Sequence, residues 1–147
     1  MEKDLLLDSQ VCFALYSAAR VASNAYREGL GELGITYTQY VTLLALWERD
    51  GVTVSALGER LRLDSGTLSP LLRRLQTLGF VEKRRDTTDE RVVTVHLTEA
   101  GRHLQPRVAA VQRAVQQQFE ISPEEAALLR DLATRFCDSQ NRKDNQE

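Results

Sequence analysis

Cysteine is scarce in this chain: Cys12 and Cys137 are the only two among 147 residues. They stand near opposite ends, whereas metal sites built on cysteine need closely spaced ligand pairs, so a fold held by zinc or an iron–sulfur cluster is excluded. Long apolar runs are missing as well. No stretch approaches the ~20 residues that a membrane span requires. Met1-Glu2-Lys3-Asp4-Leu5-Leu6-Leu7-Asp8 is too short and too acidic for a secretory signal. The expected compartment is the cytoplasm, where a constitutive disulfide is disfavoured and any disulfide would act as a signal. A catalytic constellation is also lacking. His96 falls in a strand-like run and His103 on a helix face, with no nucleophile or carboxylate at a defining spacing from either. The reading is therefore not an enzyme, with no cofactor and no metal. Finally, the chain as a whole has no positive excess; its net charge is −2, and its 42% hydrophobic content supports one modest core in a single domain, residues 1–147.

Against that background the stretch from Val54 to Leu97 is distinctive. Val54, Leu57 and Leu61 recur at helical spacing in Val54–Leu61, and Arg62-Leu63-Asp64 turns the chain. A second helix follows from Ser65, with Leu68, Leu71, Leu72, Leu75 and Leu78 inward and Gly79 as its C-terminal cap. Its outward face offers Ser65, Thr67 and Ser69, small hydroxyls able to approach base edges and phosphates, with Arg73 and Arg74 one turn on. Phe80–Arg85 and Val92–Leu97 then read as two strands joined by the polar turn Asp86-Thr87-Thr88-Asp89-Glu90-Arg91. This hairpin, or wing, carries Lys83, Arg84, Arg85 and Arg91, and Asp89 is placed to brace it by pairing with a nearby arginine.

From Arg60 to Arg91 the chain holds eight Lys or Arg against five Asp or Glu, a net of +3, so the remainder carries −5. An acidic protein keeps its positive charge on one module. An arginine pair or a leucine stripe alone fits any solvated or core-facing helix. The order helix, short turn, capped helix, basic hairpin is what points to duplex DNA.

The flanking segments read as helices. Ser9 to Leu33 is periodic until Gly29, Gly31 and Gly34, which are expected to break it. Thr36 with Gln39 makes a capping box for a helix to about Glu48, and Asp50-Gly51 turns the chain. Thr98 starts a long helix through Leu104, Val108, Val111, Val115 and Phe119, with a kink at Pro106. Ser122-Pro123-Glu124-Glu125 opens a last helix to about Ser139, and Arg142 to Glu147 reads as a frayed tail. The expected fold is mainly α with a small β wing: a winged helix-turn-helix at about 36–97 and a dimerisation region of helices at about 9–33 and 98–139.

The run from Leu63 to Leu75, the wing triplet Asp89-Glu90-Arg91 and the segment Leu97-Thr98-Glu99-Ala100-Gly101 resemble the winged-helix regulators of the MarR class. Within that class, Gln10 to Tyr16, Tyr26 and Thr36-Tyr37-Thr38-Gln39-Tyr40 resemble the organic-hydroperoxide-sensing repressors. The resemblance runs from about Gln10 to Gly101 and weakens in the last helices. It implies a homodimer with intertwined terminal helices, whose two DNA-reading helices meet a pseudo-palindromic site about one helical turn apart.

With Ser9 as N-cap, Cys12 falls at the third helical position, where free amides and the positive end of the helix dipole favour a thiolate. A lone cysteine there also fits a small buried hydrophobe. Tyr26 lies on nearly the same helix face but about 21 Å further along the axis, beyond reach of its own Cys12. The resemblance assigns Tyr26 and Tyr37, with Tyr16 as a further candidate, to hydrogen-bond the Cys12 sulfur of the other subunit. Aromatic anchoring of the dimer core is the competing role. The implied mechanism is oxidation of Cys12 by an organic hydroperoxide to a sulfenic acid, loss of the phenol hydrogen bonds and release of DNA.

Family members with two cysteines carry the resolving one in the helix after the wing, where this chain has none. Cys137 is then a resolving partner in the last helix or an incidental thiol, and without it a low-molecular-weight thiol would cap the sulfenate. Three other readings compete with redox repression. The nearest is a regulator gated by a small aromatic or phenolic ligand. A thiol peroxidase would want an arginine nearer Cys12 than Arg20. A protein-only interaction module leaves the basic wing unexplained.

Overall fold

The computed structural model describes residues 5–144, with side chains to residue 139. A short 3-10 turn, Leu7–Ser9, precedes α1 (Val11–Glu32). Then come α2 (Tyr37–Glu48), β1 (Val52–Thr53), α3 (Val54–Leu61), α4 (Ser65–Thr77), β2 (Val81–Arg85), β3 (Val93–Leu97), α5 (Glu99–His103), α6 (Gln105–Gln116) and α7 (Pro123–Asp144). The fold is mostly helical (69%) with one small antiparallel sheet, as the sequence predicts. Two compact units divide it: residues 23–114, and the terminal segments up to Ala22 and from Val115 onward.

Local chemistry sets most boundaries. At α2 the Thr36 hydroxyl accepts from the Gln39 amide (3.4 Å) while the Gln39 side chain accepts from the Thr36 amide (2.9 Å), which satisfies two donors that helix geometry leaves open. The same reciprocal pair joins Ser122 and Glu125 at α7. Thr53 caps α3 and Asp64 caps α4. Between those two helices Arg62 takes the left-handed conformation (φ 56°), a tight reversal.

The core of the central unit is leucine-rich. Leu43 and Leu46 of α2, Leu57 of α3, and Leu68, Leu72 and Leu75 of α4 are all buried, together with Val81 and Val95 of the sheet. Fully burying each such side chain is worth roughly 1.5–3 kcal/mol before the entropy of ordering it.

The sheet order is β1-β3-β2, with Val52 opposite Val95 and Val81 opposite Leu97. A seam of hydrogen bonds ties its open end to the helices. The Thr98 amide donates to the Phe80 carbonyl (3.1 Å), the Thr98 hydroxyl to the Gly79 carbonyl (2.6 Å), and the Trp47 indole to the Gly101 carbonyl (3.0 Å). Asp50 accepts from the Leu97 amide (2.8 Å) and from Arg102 (2.8 Å). Burial pushes the Asp50 carboxyl up, but the bonds from Leu97, Arg102 and Gly51 outweigh it and hold the carboxyl below its usual value.

Several boundaries differ from expectation. Strand β1 was not anticipated, because two residues cannot show alternation. Helix α1 starts at Val11, after Ser9 and Gln10, and runs through Gly29 and Gly31 to Glu32; a Cβ at Gly29 would lie 2.7 Å from Val111, so close packing rather than a chain break explains that glycine. The long helix after Thr98 is two helices. Pro106, the second residue of α6, has no N–H to continue the ladder. Phe119 lies beyond α6, and Leu78, expected inward, is exposed at the C-cap of α4. The backbone of α7 stays helical through Asp144, so Arg142 to Asp144 are not frayed; the rest of the expected tail lies outside the described residues.

The seam makes a sign-reversing prediction. Ala normally stabilises a helix interior over Gly by about 1 kcal/mol. A Cβ on Gly101, however, would sit 2.2 Å from the Phe80 carbonyl oxygen, a backbone atom that cannot yield cheaply. Gly101→Ala should lower the denaturation midpoint, whereas Gly31→Ala, which meets nothing within 4 Å, should leave it unchanged or raise it. Parallel chemical denaturation of both variants checks the opposite signs.

Candidate DNA interface and thiol site

Helix α4 presents its polar face as its leucine spacing requires. Ser65, Thr67, Ser69, Arg73 and Arg74 are all exposed, while Leu68, Leu71, Leu72 and Leu75 are buried. Asp64 organises the leading end. Its carboxylate accepts from the Thr67 amide at 2.7 Å, and the bonds from that amide and from the Thr67 hydroxyl hold it below its usual value. The Thr67 hydroxyl is thus partly committed to the cap, which leaves Ser65 and Ser69 as the freer hydroxyls of this end.

The wing is a regular ladder in which Lys83 faces Val95, Arg84 faces Thr94 and Arg85 faces Val93. Its turn is built on Asp86, whose carboxylate accepts from the Thr88 amide (2.7 Å), the Thr88 hydroxyl (2.6 Å) and the Asp89 amide (3.1 Å). Asp89 in turn accepts from the Arg91 amide and from Nε, both at 3.1 Å. This pairing fixes the base of Arg91 while 91% of its side chain stays in solvent. Arg84 pairs with Glu82, and Arg85 donates to the Glu90 carbonyl. Among the described residues no ion pair engages Arg73, Arg74 or Lys83. Between the wing and the start of α3 lies a cleft of about 660 Å³, lined by Thr53, Val54, Ser55, Lys83, Arg85, Arg91, Val92 and Val93.

The thiol candidates sit elsewhere. Cys12 is exposed and is the second residue of α1, not the third, because Ser9 belongs to the preceding 3-10 turn and the helix starts at Val11. Tyr16, one turn on, is exposed, with the Arg20 guanidinium 5.5 Å from its ring centre. Cys137 is exposed on α7. In the central unit three phenols cluster: Tyr26 with Tyr37 (5.4 Å between ring centres), Tyr26 with Tyr40 (5.1 Å, nearly parallel) and Tyr37 with Tyr40 (5.6 Å). Burial, then the neighbouring Tyr26, raises Tyr37; burial, then hydrogen bonding with Tyr26, raises Tyr40 well above an ordinary phenol. The structure therefore joins the two predicted tyrosines and adds Tyr40, which sequence reasoning missed. Its spacing of three from Tyr37 on one helix face was the available signal.

The cap on α4 has a pH signature. Asp64 is held below its usual value in the folded state, so its stabilisation is fully present above the ordinary carboxyl value of 3.8 and is lost as pH falls through the depressed one. Asp64→Ala should lower the melting temperature at neutral pH, and the gap from the parent should close in increasingly acid buffer. A gap that stays constant with pH would show that the charged cap contributes nothing.

Residues 24–107 match the family described as transcriptional regulator SarA/Rot. The HTH-type transcriptional regulator TtmR of Methylorubrum extorquens is 49% identical over 74% of this chain, a match that spans just over half, 56%, of that relative's length. The organic hydroperoxide resistance transcriptional regulator of Bacillus subtilis is 43% identical over 71% of each chain. Among solved structures, reduced AbfR bound to DNA superposes with a TM-score of 0.74 at 34% identity, covering 88% of this chain and 91% of that one; AbfR is a protein of Staphylococcus epidermidis. These relatives are regulators, not enzymes, and no helix among the described residues is long and apolar enough to cross a membrane. The chain belongs to the MarR class of winged-helix transcriptional regulators, in the branch that includes the organic hydroperoxide resistance regulator.

Proposed function

We propose that this chain is a redox-responsive repressor that binds pseudo-palindromic duplex DNA as a homodimer and releases it when an organic hydroperoxide oxidises Cys12. The observation that carries this reading is an exposed cysteine in the first turn of α1, on a winged-helix regulator whose relative is named for organic hydroperoxide resistance. Ser65, Thr67 and Ser69 of α4 approach base edges, Arg73 and Arg74 serve phosphates or bases, and Arg84, Arg85 and Arg91 of the wing follow the backbone into the minor groove, with Asp89 aiming Arg91. Dimerisation is supported by exposed apolar side chains on the terminal elements, Val11, Phe13 and Val21 of α1 and Leu128, Leu132 and Phe136 of α7.

In the reduced dimer the phenols of Tyr26 and Tyr37, with Tyr16, hydrogen-bond the Cys12 sulfur of the second copy. The Cys12 thiolate attacks the outer peroxide oxygen, the O–O bond breaks, and an alkoxide leaves and takes up a proton as the alcohol, so that sulfur becomes the sulfenic acid. A low-molecular-weight thiol then condenses with it, giving a mixed disulfide and water; Cys137 supplies the same chemistry if it reaches the sulfenate. The phenol bonds to sulfur are lost, and the dimer moves to a state whose half-site spacing no longer fits DNA.

Gel-shift binding to the DNA upstream of the chain's own gene, with and without cumene hydroperoxide and then after thiol reduction, tests the whole scheme. Cys12→Ser keeps a hydrogen-bond acceptor of nearly the same volume, so it should bind DNA and stay bound under hydroperoxide. Cys137→Ser should still release. If Cys12→Ser dissociates as readily as the parent, oxidation is not the trigger and a reversible small ligand is. In the same assay Arg91→Ala should weaken binding and reduce the salt slope by about 0.9, one phosphate's worth of released counterions; an unchanged slope removes Arg91 from the interface.

A further inference from the structure

We propose that the cavity beside Tyr37 is a carboxylate-binding subsite: it seats the anionic low-molecular-weight thiol that condenses with oxidised Cys12 of the second copy, and Arg27 is its anion partner. The inference rests on the reading of Cys12, Tyr26 and Tyr37 above and names the chemical class of the thiol, which that reading leaves open. The cavity holds about 440 Å³ between the second half of α1 and the start of α2, a volume in the range of small-molecule sites. Tyr37 forms part of its wall. Arg27, also in the wall, follows Tyr26 in sequence, and the Tyr26 ring centre lies 5.4 Å from that of Tyr37. A group bonded to a sulfur at these two phenols therefore borders the cavity.

The lining sets the chemistry. Arg27 is the one charged side chain of the wall, and no ion pair among the described residues engages it. Its Nη2 donates to Asn24 Oδ1 at 2.8 Å. Asn24, one turn earlier on α1, is in the wall as well, so a neutral group steadies the guanidinium and leaves its charge and its other donors for a ligand. The planar fork of those donors matches a carboxylate. Buried Leu30 and Ile35 give the cavity an apolar floor, which suits a short methylene spacer between the carboxylate and the sulfur. A neutral thiol gains nothing from Arg27, and a cationic one is repelled. In the reaction the incoming sulfur attacks the sulfenic sulfur of Cys12, the S–O bond breaks, and the hydroxyl leaves as water with the thiol's proton. The incoming sulfur is oxidised and the Cys12 sulfur reduced to the level of a mixed disulfide.

The test uses the full-length protein carrying Cys137→Ser, with Cys12 converted to the sulfenic acid by cumene hydroperoxide. Mass spectrometry then follows formation of the mixed disulfide with thioglycolate, 2-mercaptoethanol or cysteamine. Comparing each variant with its parent, thiol by thiol, cancels the reactivities of the thiols themselves. Arg27→Gln should slow capping by thioglycolate about fivefold, the upper end for an exposed ion pair, while leaving 2-mercaptoethanol unchanged and cysteamine unchanged or faster. Oxidation by cumene hydroperoxide, a neutral reagent, should keep the parental rate. Asn24→Ala removes no charge and should slow thioglycolate by a smaller factor, a loss that a long-range field from Arg27 would not produce. Four results overturn the subsite and leave Cys12 as the sensor: no slowing in Arg27→Gln, equal slowing with all three thiols, slower oxidation of that variant, or an undiminished thioglycolate rate in Asn24→Ala. A parent protein in which cumene hydroperoxide yields no sulfenic acid at Cys12 overturns the Cys12 reading and the subsite with it.

Discussion

The relation between α4 and the wing depends on one seam, the contact of the β2 start with the turn into α5. The Phe80 carbonyl accepts from Thr98, lies against the bare Cα of Gly101, and sits one residue after the end cap of α4. Trp47 reaches the same place from α2, and Asp50 reaches it from the loop that follows. Three segments distant in sequence, 47–50, 79–80 and 97–102, thus share one set of main-chain partners. Backbone groups buried in such a place are satisfied only in this arrangement, so the angle between the helix and the hairpin is fixed by hydrogen bonds that accept little variation. Apolar burial holds the unit together, but apolar contacts alone are non-directional and would tolerate sliding.

Electrostatics follow from that frame. The same small region holds three braced arginines and three cations without an ion-pair partner among the described residues. Arg84 is balanced by Glu82, and Arg91 is anchored by Asp89 without being withdrawn from solvent. Exposed pairs of this kind contribute little to stability. Their effect here is geometric, since an arginine held at its base spends less conformational freedom when it meets a partner. Arg73, Arg74 and Lys83 form no ion pair among the described residues, which is the economical arrangement for the proposed contact with phosphates.

Most of this was legible in the sequence for identifiable reasons. The leucine spacing from Leu68 to Leu75, the cap at Thr36 and the start signal at Ser122 each state their structure within a few residues, so no tertiary information is needed. Strand β1 was not legible because its two residues are strand only by pairing with β3. Gly29 misled for the opposite reason: its glycine answers a neighbour, Val111, that sequence does not bring near. Tyr40 was passed over because a tyrosine at a core-facing position looks like ordinary packing, and its stacking on Tyr26 depends on a neighbour from another helix. Asp64 and Asp50 lay in turns and were not singled out, although one orders the leading end of α4 and the other the root of the wing.

Helix α2 joins the phenols to the winged-helix module. Its first turn carries Tyr37 and Tyr40, and its following turns carry Leu43 and Leu46, which share a buried cluster with Leu57 of α3 and Leu68 and Leu72 of α4. A helix of this length moves as a rigid rod, because bending it would break its internal hydrogen bonds. A change in how the phenols are held therefore acts on the end of a lever whose other end is packed against α4. Close-packed interiors do not deform continuously, so such a push resolves into a shift of whole elements. The tyrosine cluster need not touch α4 to influence it. It needs only to sit on the helix that α4 rests against, which is where this chain places it.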